Sequence, residues 1–195
     1  MTPSTEASPA MGNADQLARY TYAVLHQMAH LVQTYVDGSR HGYAEHAGPH
    51  MRHIIEHYET LDRALNTPTA ATPAPVVDYD ARERDPLVES RPDVALGRIE
   101  RLQRTLGPSA RADAQRLSQP VEVHVRGGVE GEYNFSSGST VARELMFLNS
   151  HATHHFAVLQ GYAKFRGESL GPGLGKAPAT VAFERQQRLN THATA

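Results

Sequence analysis

The residues best equipped for chemistry are histidines, gathered in two clusters. SHATHHFAVLQ, residues 150–160, carries His151, His154 and His155, and HMRHIIEHY, residues 50–58, carries His50, His53 and His57. A neutral imidazole can ligate a divalent transition metal, carry a proton or serve as a hydrogen-bonded core group. Spacing narrows the choice. At about 100° per helical residue, His155 lies about 40° from His151. Leu148, Val158, Phe147, Leu159 and Val141 flank the same arc, so the pair sits within the apolar stripe. His154 lies about 60° to the other side of His151, nearer the edge. An i, i+4 pair aims two rings at one point, as in helical zinc sites.

Two buried imidazoles without partners are costly, so something has to satisfy them. A metal ion does so with two bonds. Glu144, about 20° from His151, does so as the carboxylate of a core network. An acid–base pair is the third reading. The second cluster bears on this choice, because His50, His53 and His57 are three and four residues apart and share a face bordering Ile54, Leu61 and Leu65. One of them would complete the three-ligand arrangement of a catalytic metal, with water in the open position. His50 is nearest the apolar stripe and His53 is central, and the spacing leaves the choice open. The bland alternative is a row of half-exposed surface histidines. His26 and His30 form another i, i+4 pair at a polar edge; His41, His46, His124 and His192 carry no assigned role.

The elements that would position these residues are mainly helical. Leu17, Tyr20, Val24, Leu25, Met28, Leu31, Val32 and Tyr35 recur at helical spacing and predict a helix over about 15–36, ended by Asp37-Gly38. A second helix is predicted over about 49–65, a third from Ser90–Asp93 to about 106, and a fourth over about 140–165, capped by Ser139 or Thr140. NTPTAATPAP is a low-complexity break, and VVDYDARERDPLVESRP reads as extended or irregular and dense in charge. VEVHVR and GEYNFSS around a Gly-Gly turn predict a hairpin. The expectation is a mainly all-α, up-down four-helix bundle with a small β-hairpin before the last long helix. Residues 1–13 are expected to be disordered, 14–166 to form the bundle, and 167–195 to be a Gly/Pro-rich tail whose last part, around 181–190, is either a short helix or loose.

Composition excludes several classes. The chain has 195 residues, a net charge of −2 and 12 histidines, but no cysteine. Thiolate ligands, disulfides and a protein-borne thiol nucleophile are therefore excluded. No basic stripe of the kind that binds nucleic acid is present. No run reaches 18 apolar residues and no signal peptide is apparent, so no membrane partner is expected and the cytoplasm is the expected location.

The histidine on the second helix together with H-x-x-H-H on the last resembles the DinB-like superfamily, over roughly residues 14–165. These are bacterial metal-binding four-helix bundles that include thiol S-transferases. The resemblance implies a DinB-type bundle with His53, His151 and His155 as metal ligands, His53 being followed by Ile54 and by Glu56 three positions on. His50 is the alternative helix-two ligand. It further implies a divalent metal as cofactor, and a low-molecular-weight thiol or other small molecule as substrate for a metal-dependent transferase or hydrolase. The stretch DYDARERD and the hairpin depart from the family pattern. Zinc is the first choice by ligand type, with nickel, copper or iron able to use the same imidazoles. Glu144 and Glu56 are candidates to orient the ligand rings from behind. The segment carrying Asp78, Asp80, Arg82, Arg84 and Asp85 either folds over the site, an arginine recognising a carboxylate or phosphate, or is a solvated loop closed by its own ion pairs. Two readings from other classes are a non-catalytic metal-buffering bundle and a structural, homodimerising module with packed histidines.

Overall fold

Helical periodicity, proline placement and one parallel strand pair build an architecture richer than a bundle. The computed structural model describes residues 12–67, 74–107 and 114–193. Among these the elements are α1 (Asn13–Val36), α2 (Tyr43–His46), α3 (Gly48–Asn66), β1 (Val76–Asp78), α4 (Pro86–Ser90), α5 (Pro92–Leu106), α6 (Ala114–Leu117), β2 (Pro120–Gly127), β3 (Tyr133–Thr140), α7 (Val141–Phe165) and α8 (Pro178–Ala193). The expected disordered lead-in lies outside the described residues as far as position 11, as do positions 68–73 of the low-complexity break.

The up-down four-helix bundle, and with it the DinB-type resemblance, is overturned by this arrangement. Eight helices and a three-stranded mixed sheet are present among the described residues. In an up-down ring, α3 would return beside α1. Here α1 packs against α5 and α7, and α3 packs against the same two helices. The charged segment expected to be irregular supplies the extra elements. β1 pairs in parallel with β2, Val77 opposite Val123, and β2 pairs antiparallel with β3, so the hairpin becomes the larger part of a sheet. Asp85 accepts a hydrogen bond from Leu87 N and Pro86 occupies the first turn, which starts α4 within that segment. Gly48 lets α4 approach: a side chain there would collide with the Glu89 carbonyl.

The core joins these pieces. Leu25, Met28 and Val32 of α1 meet Met51, Ile54, Ile55, Tyr58 and Leu61 of α3, Ile99, Leu102 and Leu106 of α5, and Leu145, Leu148, Phe156 and Leu159 of α7. Val77, Val88 and Val121 extend it under the sheet and α4. One polar chain crosses it: Tyr58 OH donates to Asn149 Oδ1 at 2.8 Å, and Asn149 Nδ2 donates to Thr21 Oγ1 at 3.0 Å. Those bonds tie α3, α7 and α1 at a fixed register, since an unmade bond inside the core costs about 1–3 kcal/mol. Thr140 caps α7 through Arg143 N, while Ser139 donates instead to Glu144 Oε1 at 2.6 Å. No helix among the described residues is long and apolar enough to cross a membrane.

Candidate metal centre

The facing surfaces of α3 and α7 bring the two histidine clusters together. His53, His151 and His155 each present a ring nitrogen such that the three atoms lie within 4.8 Å of one another, and all three side chains are half-buried. Helical spacing places His151 and His155 one turn apart on α7, with ring centroids 4.6 Å apart. His53 faces both from α3, at 5.0 Å and 4.8 Å. His50 stands beside the trio, its Nδ1 2.8 Å from His155 Nδ1. His57 packs against His53 and His151 at 4.3 Å and 4.9 Å between centroids. His154 touches the group only at its edge, 5.7 Å from the His155 ring.

Hydrogen bonding assigns several protons. A guanidinium can only donate, so Arg82 NH1, 2.8 Å from His53 Nδ1, makes that nitrogen an acceptor. Neutral His53 then carries its proton on Nε2 and donates it to His151 Nε2 at 2.9 Å. His57 donates from Nδ1 to the His53 carbonyl at 2.7 Å, which leaves its Nε2 lone pair free of that bond. Burial, followed by neighbouring histidines and, for His53 and His151, by Arg82 as well, pushes His53 down to about 3 and His151 and His155 down to about 4. His57 goes to about 4, chiefly by burial. These rings are therefore neutral at neutral pH, the form that ligates metals.

The donor set suits a divalent first-row ion: three imidazoles on two rigid helices, with no competing lysine among the surrounding side chains. One feature resists loading. An ion taken at His53 Nε2 would replace the proton shared with His151. Arg82 would then have to leave Nδ1, so that Nδ1 could carry that proton.

The walls of the site come from β1 and its following loop as much as from the helices. Tyr79 stacks on His57 at 5.3 Å and 24°, Phe147 stacks on His151 at 5.7 Å and 16°, and the two aromatic rings meet at 5.6 Å. Glu144, read from the sequence as a carboxylate behind the ligands, accepts instead from Tyr79 OH at 2.8 Å and from Ser139. It reaches the histidines through Tyr79, whose phenol is held well above its ordinary pKa first by burial and then by the Glu144 carboxylate. Glu56 accepts from Asp85 N at 2.7 Å through Oε1, and its buried Oε2 has no hydrogen-bond partner among the described residues.

The charged loop divides between the two roles foreseen for it. Asp78 Oδ1 accepts from the amides of Asp80 and Ala81, and Arg82 Nε donates to Tyr79 O at 2.8 Å, so the loop folds on itself and sets Arg82 against His53. Arg84 follows with φ of 53°, a left-handed conformation unusual for a side-chain-bearing residue. The acids pair outward: Asp85 with Arg98 at 2.8 Å, Glu83 with Arg98 and Arg63. Tyr79 was missed by sequence reasoning, because its contact depends on β1 pairing with β2 and no periodicity announces it. Arg82 was one of five charged residues that spacing could not separate. His41, His46 and His124 do not join the cluster; His124 instead bonds Glu122 at 2.9 Å.

Similarity to known proteins adds little at this point. No protein-family model matches the chain, and no solved structure does. The chain is 25% identical over 118 residues to FK506-binding protein 5 of Rhizopus delemar, a match covering 60% of this chain and 30% of that one. The chain thus spans less than a third of that protein's length, and the likeness assigns no family. The relative is fungal, which overturns the bacterial affiliation that came with the sequence resemblance. Zinc and transferase activity, expected on the same ground, lose their support with it: the cluster fixes a ligand set but neither a metal's identity nor a reaction. What stands is a largely helical domain holding a clustered three-histidine site.

Proposed function

We propose that the protein binds a divalent transition-metal ion through His53, His151 and His155. One observation carries this reading: three imidazole nitrogens from α3 and α7 converge within 4.8 Å, on half-buried rings that stay uncharged at neutral pH. Three neutral ligands leave an ion its full charge and a coordination position for water or a small-molecule ligand, and such an ion lowers the pKa of bound water toward neutrality. The chain's own residues supply the surroundings: Tyr79 and Phe147 wall the rings, and Glu144 fixes Tyr79.

A second reading is favoured by the hydrogen bonds His53–His151 and His50–His155, which give one nitrogen on each of four rings a partner without an ion. In that case the cluster is a structural network between α3 and α7. Metal analysis of tag-free protein, followed by titration with zinc, nickel, copper and ferrous iron, separates the two. Stoichiometric uptake lost on chelation is the expected result. No uptake of any of the four would overturn the metal reading and leave the network.

A further inference from the structure

Arg82 is the one cation hydrogen-bonded to the imidazole cluster among the described residues, and its surroundings are unusual for a guanidinium. It is half-buried, yet both of its hydrogen bonds go to uncharged acceptors, Tyr79 O through Nε and His53 Nδ1 through NH1. No carboxylate lies within ion-pairing distance of it among the described residues. Glu56 and Asp80 act on it only from farther away, and each already accepts from a backbone amide, Asp85 N and Arg126 N respectively. The nearby guanidinium of Arg52 is paired with Glu89, whereas Arg84 adds further positive charge. A half-buried charge without a counter-ion is costly, and the guanidinium fork has donors left for a pair of oxygens. A divalent ion on three neutral imidazoles would add positive charge beside a guanidinium that has no carboxylate in direct contact.

We propose that Arg82 is an anion-binding residue, receiving a carboxylate or phosphate group of the small molecule that occupies the histidine centre. This rests on the metal reading for what lies beside the anion, but the anion contact itself is a property of Arg82. The loop is built to hold it: the Asp78 turn, the Arg82–Tyr79 bond, the left-handed Arg84 and the Asp85–Glu56 bond fix both ends of the segment from Asp78 to Asp85 beside the cluster. The anion's oxygens would take the donors that His53 and solvent now share. The ligand class is accordingly a small carboxylate or phosphate ester, and not a cation or a neutral apolar molecule.

The test titrates inorganic phosphate and, separately, acetate into metal-free and metal-loaded protein. Binding is read from NMR shifts of the Arg82 Nε–H and the cluster imidazoles, with metal content measured on the same samples. Saturable shifts are expected in wild type. Arg82→Met should weaken binding at least about tenfold, the cost of one charged hydrogen bond, and Arg82→Lys should fall between. Both variants should keep the wild-type circular dichroism. A stronger response to phosphate or to acetate identifies the source of the anion. If Arg82→Met binds either anion as tightly as wild type, or if neither anion shifts these signals in wild type, the proposal is overturned. Failure to take up metal together with a retained, Arg82-dependent phosphate response would sink the metal reading and leave the anion site standing.

Discussion

Two polar clusters bridge α3 and α7, and they are satisfied in different ways. In the Tyr58–Asn149–Thr21 chain each group is fully buried, with Tyr58 OH donating to Asn149 Oδ1 and Asn149 Nδ2 donating to Thr21 Oγ1. The second cluster holds His50, His53, His57, His151 and His155, half-buried for the most part, whose bonds run ring to ring, to a guanidinium or, for His57, to the His53 carbonyl. Sealed from water, a hydroxyl–amide chain has only its own members to bond and therefore sets register. Imidazoles can exchange tautomers and partners, and here four of the five are only half-buried. The first cluster is glue; the second is adaptable, and adaptability is what a binding centre needs.

The largest separation between the two should appear on truncation. His155→Ala is expected to reduce metal affinity more than about hundredfold, since losing even an outer partner of a ligand typically costs 10–100-fold. Its thermal stability should change little. Asn149→Ala should do the reverse, costing about 2–3 kcal/mol by stranding the Tyr58 hydroxyl and Thr21 inside the core while metal affinity stays within a few-fold. Calorimetric metal titration and urea melts on both variants make the check. Equal losses in both assays would erase the distinction.

Acid should part the clusters next. His57 is buried with its pKa depressed to about 4, and His53, His151 and His155 are depressed as well, against about 6.5 in an unfolded chain. Between those values the unfolded chain binds protons that the folded one refuses, so stability falls as pH drops below about 6.5. The Tyr58–Asn149–Thr21 chain has nothing that titrates there. Urea melts at pH 7 and pH 5 should show wild type losing stability, and His57→Gln should lose less of it. An unchanged difference in His57→Gln would remove His57 from the account.

How much of this was legible beforehand follows from the range of each interaction. The His151–His155 pair and the apolar stripes of α1, α3, α5 and α7 are encoded by neighbours three and four apart, and periodicity displays them. The order in which the helices pack is not, because a stripe names a face but not its partner; hence α3 landed between α5 and α7 rather than beside α1. β1 has three residues and exists by pairing with a strand more than forty positions later. Tyr79 inherits that invisibility, and Arg82, named from the sequence within a charged segment of five candidates, could not be singled out among them, since both follow β1 into the site.

The smallest predicted effect concerns the residue whose placement differs most from its sequence reading. Were Glu144 hydrogen-bonded to a ligand imidazole, Glu144→Gln would lower metal affinity by about 10–100-fold. Its carboxylate instead accepts from Tyr79 and Ser139, and the amide oxygen of glutamine can still accept from one of them. The variant should therefore cost about 1 kcal/mol in stability, as a charged acceptor becomes a neutral one, and less than about tenfold in metal affinity. Tyr79→Phe, which removes the same bond from the other end, should match it in urea melts while leaving the ring stacked on His57. A full hundredfold loss in Glu144→Gln alone would mean that the carboxylate turns to an imidazole when the ion arrives.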